Sequence, residues 1–93
     1  MKETIITSSG NVFADLGFPP EETAILSLRA DLMAQLRQMI ADHGWSQSEA
    51  AKVLGVSQSR VSDLVHGKWD RFSLDMLIML TTRAGCKVML EIA

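Results

Sequence analysis

Between Trp45 and Lys68 the chain reads W-S-Q-S-E-A-A-K-V-L-G-V-S-Q-S-R-V-S-D-L-V-H-G-K. Polar heads are dense in this stretch: Gln47, Gln58, Ser59, Arg60, Ser62, Asp63 and Lys68. A Gln amide can bond an adenine edge twice, an Arg can do so to guanine or hold a phosphate, and a Ser hydroxyl suits either. Gln47 stands at a helix start, where its amide and the free helix N–H groups suit a phosphate. Gly67 lets the backbone approach closely, and Lys68 adds a positive charge for a second phosphate. The chemistry these residues offer is non-covalent recognition of a nucleic-acid duplex. Covalent catalysis lacks its parts, because no His and carboxylate are spaced to activate a serine. No enzyme activity is expected.

Two short helices must hold these groups. Ser46 caps the first, with Glu49 at capping-box spacing. Ala50, Ala51, Val53 and Leu54 supply its buried side, and Gly55 stops it. Ser57 caps the second, Gln58 to about His66, which Gly67 ends. Helix, tight Gly turn and helix make the helix-turn-helix layout. Ala50 is small because the second helix crosses close by. Gly55 supplies the positive φ for a sharp turn. Val56 fills the gap, and Val61 and Leu64 tether the second helix to the core. Gln58, Ser59, Ser62 and Asp63 then face outward, with Arg60 at the edge. The N-terminus of such a second helix points into the major groove.

The flanks supply the core. Pro20 suits a first helical position, Glu21 and Glu22 favour the helix dipole, and Gly44 closes the helix after His43. Ile25, Leu28, Leu32, Leu36 and Met39 form an apolar stripe, widened by Leu26, Met33 and Ile40. A stripe that wide suits one large core or two contacts, and one core is the preferred reading. Ser73 caps a last helix, Leu74 to Ala84, with Leu74, Leu77, Ile78 and Thr81 on one face. Residues 86–93 then alternate, with Cys86, Val88, Leu90 and Ile92 on one side, as in a strand. A lone strand needs a partner. Glu3–Thr7 of the same chain is one option. The same strand of a second copy is the preferred one, making a homodimer through Val88, Leu90 and Ile92.

The expected fold is therefore all-α: a lambda-repressor-like helix-turn-helix bundle with a short C-terminal β-strand. Residues 1–20 read as an irregular arm with a short turn at Val12–Leu16, 21–85 as the DNA-binding domain, and 86–93 as a dimerisation strand. His43 and His66 sit at helix ends and support the dipole there. No ligand spacing points to a metal, and no cofactor is expected. Trp45 is read as packing on the first long helix, and Trp69 as an apolar anchor below the second helix-turn-helix helix.

Composition limits the classes. With 93 residues the chain has single-domain length. Its single cysteine, Cys86, permits no internal disulfide, which fits a reducing cytoplasm. No apolar run approaches the roughly 20 residues a membrane helix needs, and no secretory signal opens the chain. With 9 Lys+Arg against 11 Asp+Glu the net charge is −2, which at first argues against DNA. The charges are segregated, however. Residues 1–50 carry three basic and seven acidic side chains, and residues 51–93 carry six and four. The modest local charge implies weak electrostatic affinity per subunit, and so binding as a dimer on paired half-sites.

The spaced set S-Q-x-x-A-A-x-x-L-G-V-S-Q-x-x-V-S-x-L-x-x-G-K over Ser46–Lys68 resembles the Cro/CI-type, or XRE, helix-turn-helix regulators. The likeness extends over about residues 23–84. Upstream, Asn11-Val-Phe-Ala-Asp-Leu-Gly-Phe-Pro-Pro-Glu-Glu and Leu28-Arg-Ala-Asp-Leu-Met33 resemble the HigA-like antitoxin subgroup. That resemblance implies a bacterial, cytoplasmic homodimer that binds its own double-stranded operator and represses a toxin–antitoxin operon. It also implies a small basic toxin as partner, an mRNA endonuclease. The alternative is a stand-alone regulator of phage or mobile-element origin. The family's DNA-reading positions fall on Gln47, Ser57, Gln58, Ser59, Arg60, Asp63 and Lys68. Asp63 departs from the family's usual Gln, Arg or Lys. It can accept from a cytosine amino group, or be a solvated charge that repels phosphate. The N-terminal segment likewise has two readings. Val12, Phe13, Leu16 and Phe18 can cover the core, or Asp15, Glu21, Glu22 and Asp31 can face a basic toxin.

Overall fold

The computed structural model describes the backbone of residues 2–7 and, with side chains, residues 16–91. Strand β1 is Lys2–Thr7, and helix α1 is Pro20–His43. Two eight-residue helices follow, α2 at Gln47–Leu54 and α3 at Gln58–Val65. A 3₁₀ turn, η1, covers Trp69–Arg71. Helix α4 is Leu74–Arg83, and strand β2 is Cys86–Glu91. The structure is thus the expected small helical bundle with a C-terminal strand. The turn read at Val12–Leu16 lies largely outside the described residues.

Local chemistry places the helix ends where the sequence sets them. Pro stands at the start of α1, and Gly44 ends it with φ 66°. Ser46, Ser57 and Ser73 each accept a hydrogen bond from the backbone N–H three residues on, at 3.1, 3.2 and 3.2 Å. His43 and His66 each bring Nδ1 to the carbonyl four residues back, at 2.9 and 2.7 Å. Both therefore serve helix C-terminal ends, as expected.

The core gathers Leu32, Leu36, Leu54, Val61, Leu64, Phe72, Leu77 and Leu80, all at most 1% exposed. Helix α1 spans it, but not with one stripe. Its C-terminal half buries Leu32, Met33, Leu36, Met39 and Ile40, whereas its N-terminal half buries Thr23 and Ser27. At about 100° per residue those two positions lie roughly 140–180° around the axis from Leu32. Ile25, expected in the core stripe, is 47% exposed. Helix α1 contacts β1 as well as α3, η1 and α4, and more than one of its sides is covered. Val53, also expected inside, is exposed, and Leu80 takes a core place that the reading of α4 did not assign.

The strand pairing corrects the preferred reading. Strand β2 pairs with β1 of the same chain, in parallel, from Lys2↔Cys86 to Thr7↔Glu91. Lys2–Thr7 is therefore a strand rather than part of an irregular arm. All the helices lie between the two strands, a crossover long enough for the parallel arrangement. Cys86 is buried, Val88 half-buried and Leu90 57% exposed, so β2 leaves the core as it runs. Ile92 lies outside the described residues. Cys86 Sγ donates to Met39 Sδ at 3.2 Å, a packing role.

Candidate nucleic-acid interface

Helices α2 and α3 are joined by Gly55, Val56 and Ser57. Gly55 adopts φ 69°, and its N–H bonds the Ala51 carbonyl. A Cβ there would also lie 3.3 Å from Nη1 of Arg83. The backbone conformation therefore calls for glycine, and a Cβ would also press on the Arg83 guanidinium. Arg83 itself reaches from α4 to donate Nη1 to the Leu54 carbonyl at 3.1 Å. It satisfies a carbonyl left open at the end of α2 and ties the turn to α4. This fastening was not read from the sequence. An Arg in the last turn of α4 signals only a dipole role for its own helix, and its partner is 29 residues away.

Ala50 and Val61 are fully buried and Leu64 is 1% exposed, so α2 and α3 meet as the spacing requires. That fixes the rotation of α3. Gln58 and Ser59 stand exposed in its first turn, and Gln47 stands exposed in the first turn of α2. Ser57 is exposed, and its hydroxyl also accepts the Arg60 N–H. Ser62 is half-buried, with Oγ 3.3 Å from Nδ1 of His66.

The charged members sit differently. Arg60 turns back toward η1: Nη1 donates to the Arg71 carbonyl at 3.1 Å, and Cζ lies 5.6 Å from the Phe72 ring centroid. Asp63 lies between two cations, with Oδ1 3.6 Å from Lys68 Nζ and Oδ2 3.5 Å from Arg71 Nη1. Neither of the sequence readings of Asp63 anticipated this double pairing, and Arg71 had been given no role.

A further arginine braces η1 from α1. Arg29 donates Nη2 to the Trp69 carbonyl at 2.8 Å, and its Cζ lies 5.2 Å from the Trp69 ring. Trp69 thus packs against α1 rather than beneath α3, and stays 47% exposed. Trp45 stacks on His43 of α1, with ring centroids 4.3 Å apart, as expected for packing on that helix.

Among the described residues no cluster of three or more His, Cys, Asp or Glu could hold a metal ion. No helix among them is long and apolar enough to cross a membrane. A capped helix, a left-handed Gly turn and a second helix with an exposed polar first turn define the class: a DNA-binding helix-turn-helix protein. A family model described as a helix-turn-helix domain matches residues 12–93, and the chain belongs to that family. No curated protein matches it.

Proposed function

We propose that this protein is a sequence-specific transcriptional repressor that binds an operator as a homodimer, with the first turn of α3 in the major groove. One observation carries the reading. Gln58 and Ser59 are exposed on a short helix whose opposite face, Val61 and Leu64, is almost wholly covered. Polar readers on a locked helix hold a fixed geometry toward base edges. In this reading Gln58, Ser59 and Ser62 face the bases. Gln47, Ser57 and Lys68 meet the backbone, and Arg60 and Asp63 bound the surface.

The homodimer reading rests on β2. Among the described residues the sheet has two parallel strands, and such sheets are seldom stable uncovered. Met89 and Leu90 are exposed there at 38% and 57%. Pairing of β2 with a second copy along its edge satisfies backbone N–H and C=O groups and extends the sheet beside these apolar residues. The finer assignment, an XRE-type antitoxin of HigA-like kind, is supported by the motif resemblance over Ser46–Lys68. The exposed acidic start of α1, Glu21 and Glu22, is complementary to a basic toxin.

The test is selection of preferred sites from random duplexes, followed by Gln58→Ala. The variant is expected to lose roughly 1–3 kcal/mol on the selected site and to relax one position. Equal weakening on selected and altered sites rejects Gln58 as a reader. Co-purification with the product of the adjacent gene tests the antitoxin assignment. A chain that represses with no such partner is the stand-alone regulator.

A further inference from the structure

Arg60 and Asp63 are three residues apart on α3 and so share one side of the helix, the side facing η1. There they hold the segment that follows α3 by three routes. Arg60 grips the backbone at the Arg71 carbonyl. The Asp63 carbonyl accepts the Lys68 N–H at 3.0 Å. The Asp63 carboxylate takes Lys68 on one oxygen and Arg71 on the other. The exposures are unequal: the Asp63 side chain is 16% exposed, and those of Lys68 and Arg71 are 51% and 56%. One short, mostly covered anion thus restrains two long cations that remain open to solvent.

Exposed ion pairs contribute little stability, so this arrangement gains little for the fold. Its electrostatic consequence is larger. An ammonium has three N–H donors and a guanidinium five, so most of them remain after Asp63 is served. Arg60, Lys68 and Arg71 against Asp63 and Asp70 leave one net positive charge beside α3, in a chain whose total is −2. Fixing both in advance removes the entropy that two free side chains would lose on meeting a ligand.

We propose that Asp63 is a positioning residue: it touches no base, and it presents Lys68 and Arg71 together to one backbone phosphate. This rests on the DNA-binding reading above. It adds Arg71 to the surface and gives Asp63 a role that neither base readout nor phosphate repulsion describes.

The test uses the full chain and a duplex of random sequence, titrated over about 50–200 mM salt. Asp63→Ala removes a negative charge, so charge counting alone forecasts tighter binding. Positioning forecasts the reverse: affinity falls roughly tenfold, and the salt slope drops by about one, as it does in Arg71→Ala. The double variant costs little more than either single one, because the two residues act as a unit. Asp63→Glu, which keeps the carboxylate, recovers part of the loss. Should Asp63→Ala fail to fold, Asp63→Asn takes its place with the same expected sign.

Equal or tighter binding with an unchanged slope overturns the proposal and leaves the DNA-binding reading standing. So does a loss confined to the selected site with random-duplex binding intact, since Asp63 then reads a base. A wild-type chain that binds no duplex in a salt-dependent way overturns both.

Discussion

The helix-turn-helix end and the sheet end of this molecule are built on opposite principles. At the first, the helix caps and the turn are set by constraints short in sequence, and arginines from other elements then fasten the turn and η1. Ser46, Ser57 and Ser73 cap their own helices, Gly55 makes its own turn, and Ala50, Val61 and Leu64 are buried to 1% exposure or less. At the second, the two strands come from opposite ends of the chain. Leu90 and Met89 stay exposed, and among the described residues the sheet has two strands. One end buries the inner face of its helices, and at the other β2 carries exposed apolar residues. The difference separates a helix pair whose inner face is covered from a strand that leaves the core as it runs.

The largest effect expected is at the reading end. Phe72 is 1% exposed and, among the described residues, is the largest fully buried side chain. Phe72→Ala is expected to cost about 3–5 kcal/mol, read by urea denaturation. A loss under about 1 kcal/mol would show that the covered inner face does not hold this end together. Arg83→Ala removes the bond to the Leu54 carbonyl and is expected to cost about 1.5–3 kcal/mol, because the donor is charged. Hydrogen exchange at α2 and the turn should rise with it. No change there would mean that Gly55 alone holds the turn.

At the sheet end, Leu90→Glu is expected to change monomer stability by no more than about 0.5 kcal/mol, because the side chain is already exposed. If β2 pairs between copies, the same change lowers the association constant, measured by analytical ultracentrifugation. Unaltered association would move the dimer contact away from Leu90. The smallest effect lies on α1. Partial burial of Asp31 raises its pKa above the ordinary carboxylate value. A raised carboxylate pKa favours the fold when the group is protonated, and that contribution is lost as pH rises through the folded pKa. Asp31→Asn should therefore stabilise the chain by a few tenths of a kcal/mol at neutral pH, and the gain should vanish in acid. A gain that persists in acid would point to a cause other than charge.

Much of the reading end was legible because its signals are local. A capping Ser, a Gly with positive φ and an apolar i, i+3 pair act within one or two turns, so residue type and spacing define them. The start of α1 at Pro20, the Gly44 stop and the extents of α2 and α3 to within a residue follow from such signals. What escaped were side chains that act across the fold. Arg29, Arg71 and Arg83 look like ordinary surface cations in sequence, yet each meets a partner in another element. Arg60 reads from the sequence as an edge group of α3, and its bond to the Arg71 carbonyl beside the Phe72 ring depends on the fold.

The sequence by itself determined the helix boundaries, the turn between α2 and α3, and the polar residues that α3 carries. Those depend on backbone and capping preferences over a few residues. Only the tertiary structure decided three further things: which strand β2 joins, which sides of α1 are covered, and which cations Asp63 holds. A period-two strand has no record of its partner, since either chain end or a second copy satisfies the same N–H and C=O groups. A broad apolar stripe likewise cannot say that Ile25 stays exposed while Thr23 and Ser27 of the same helix are buried. An aspartate at the sixth position of α3 has the same local chemistry with or without Lys68 and Arg71 beside it. Its role is set by where the chain returns after Gly67.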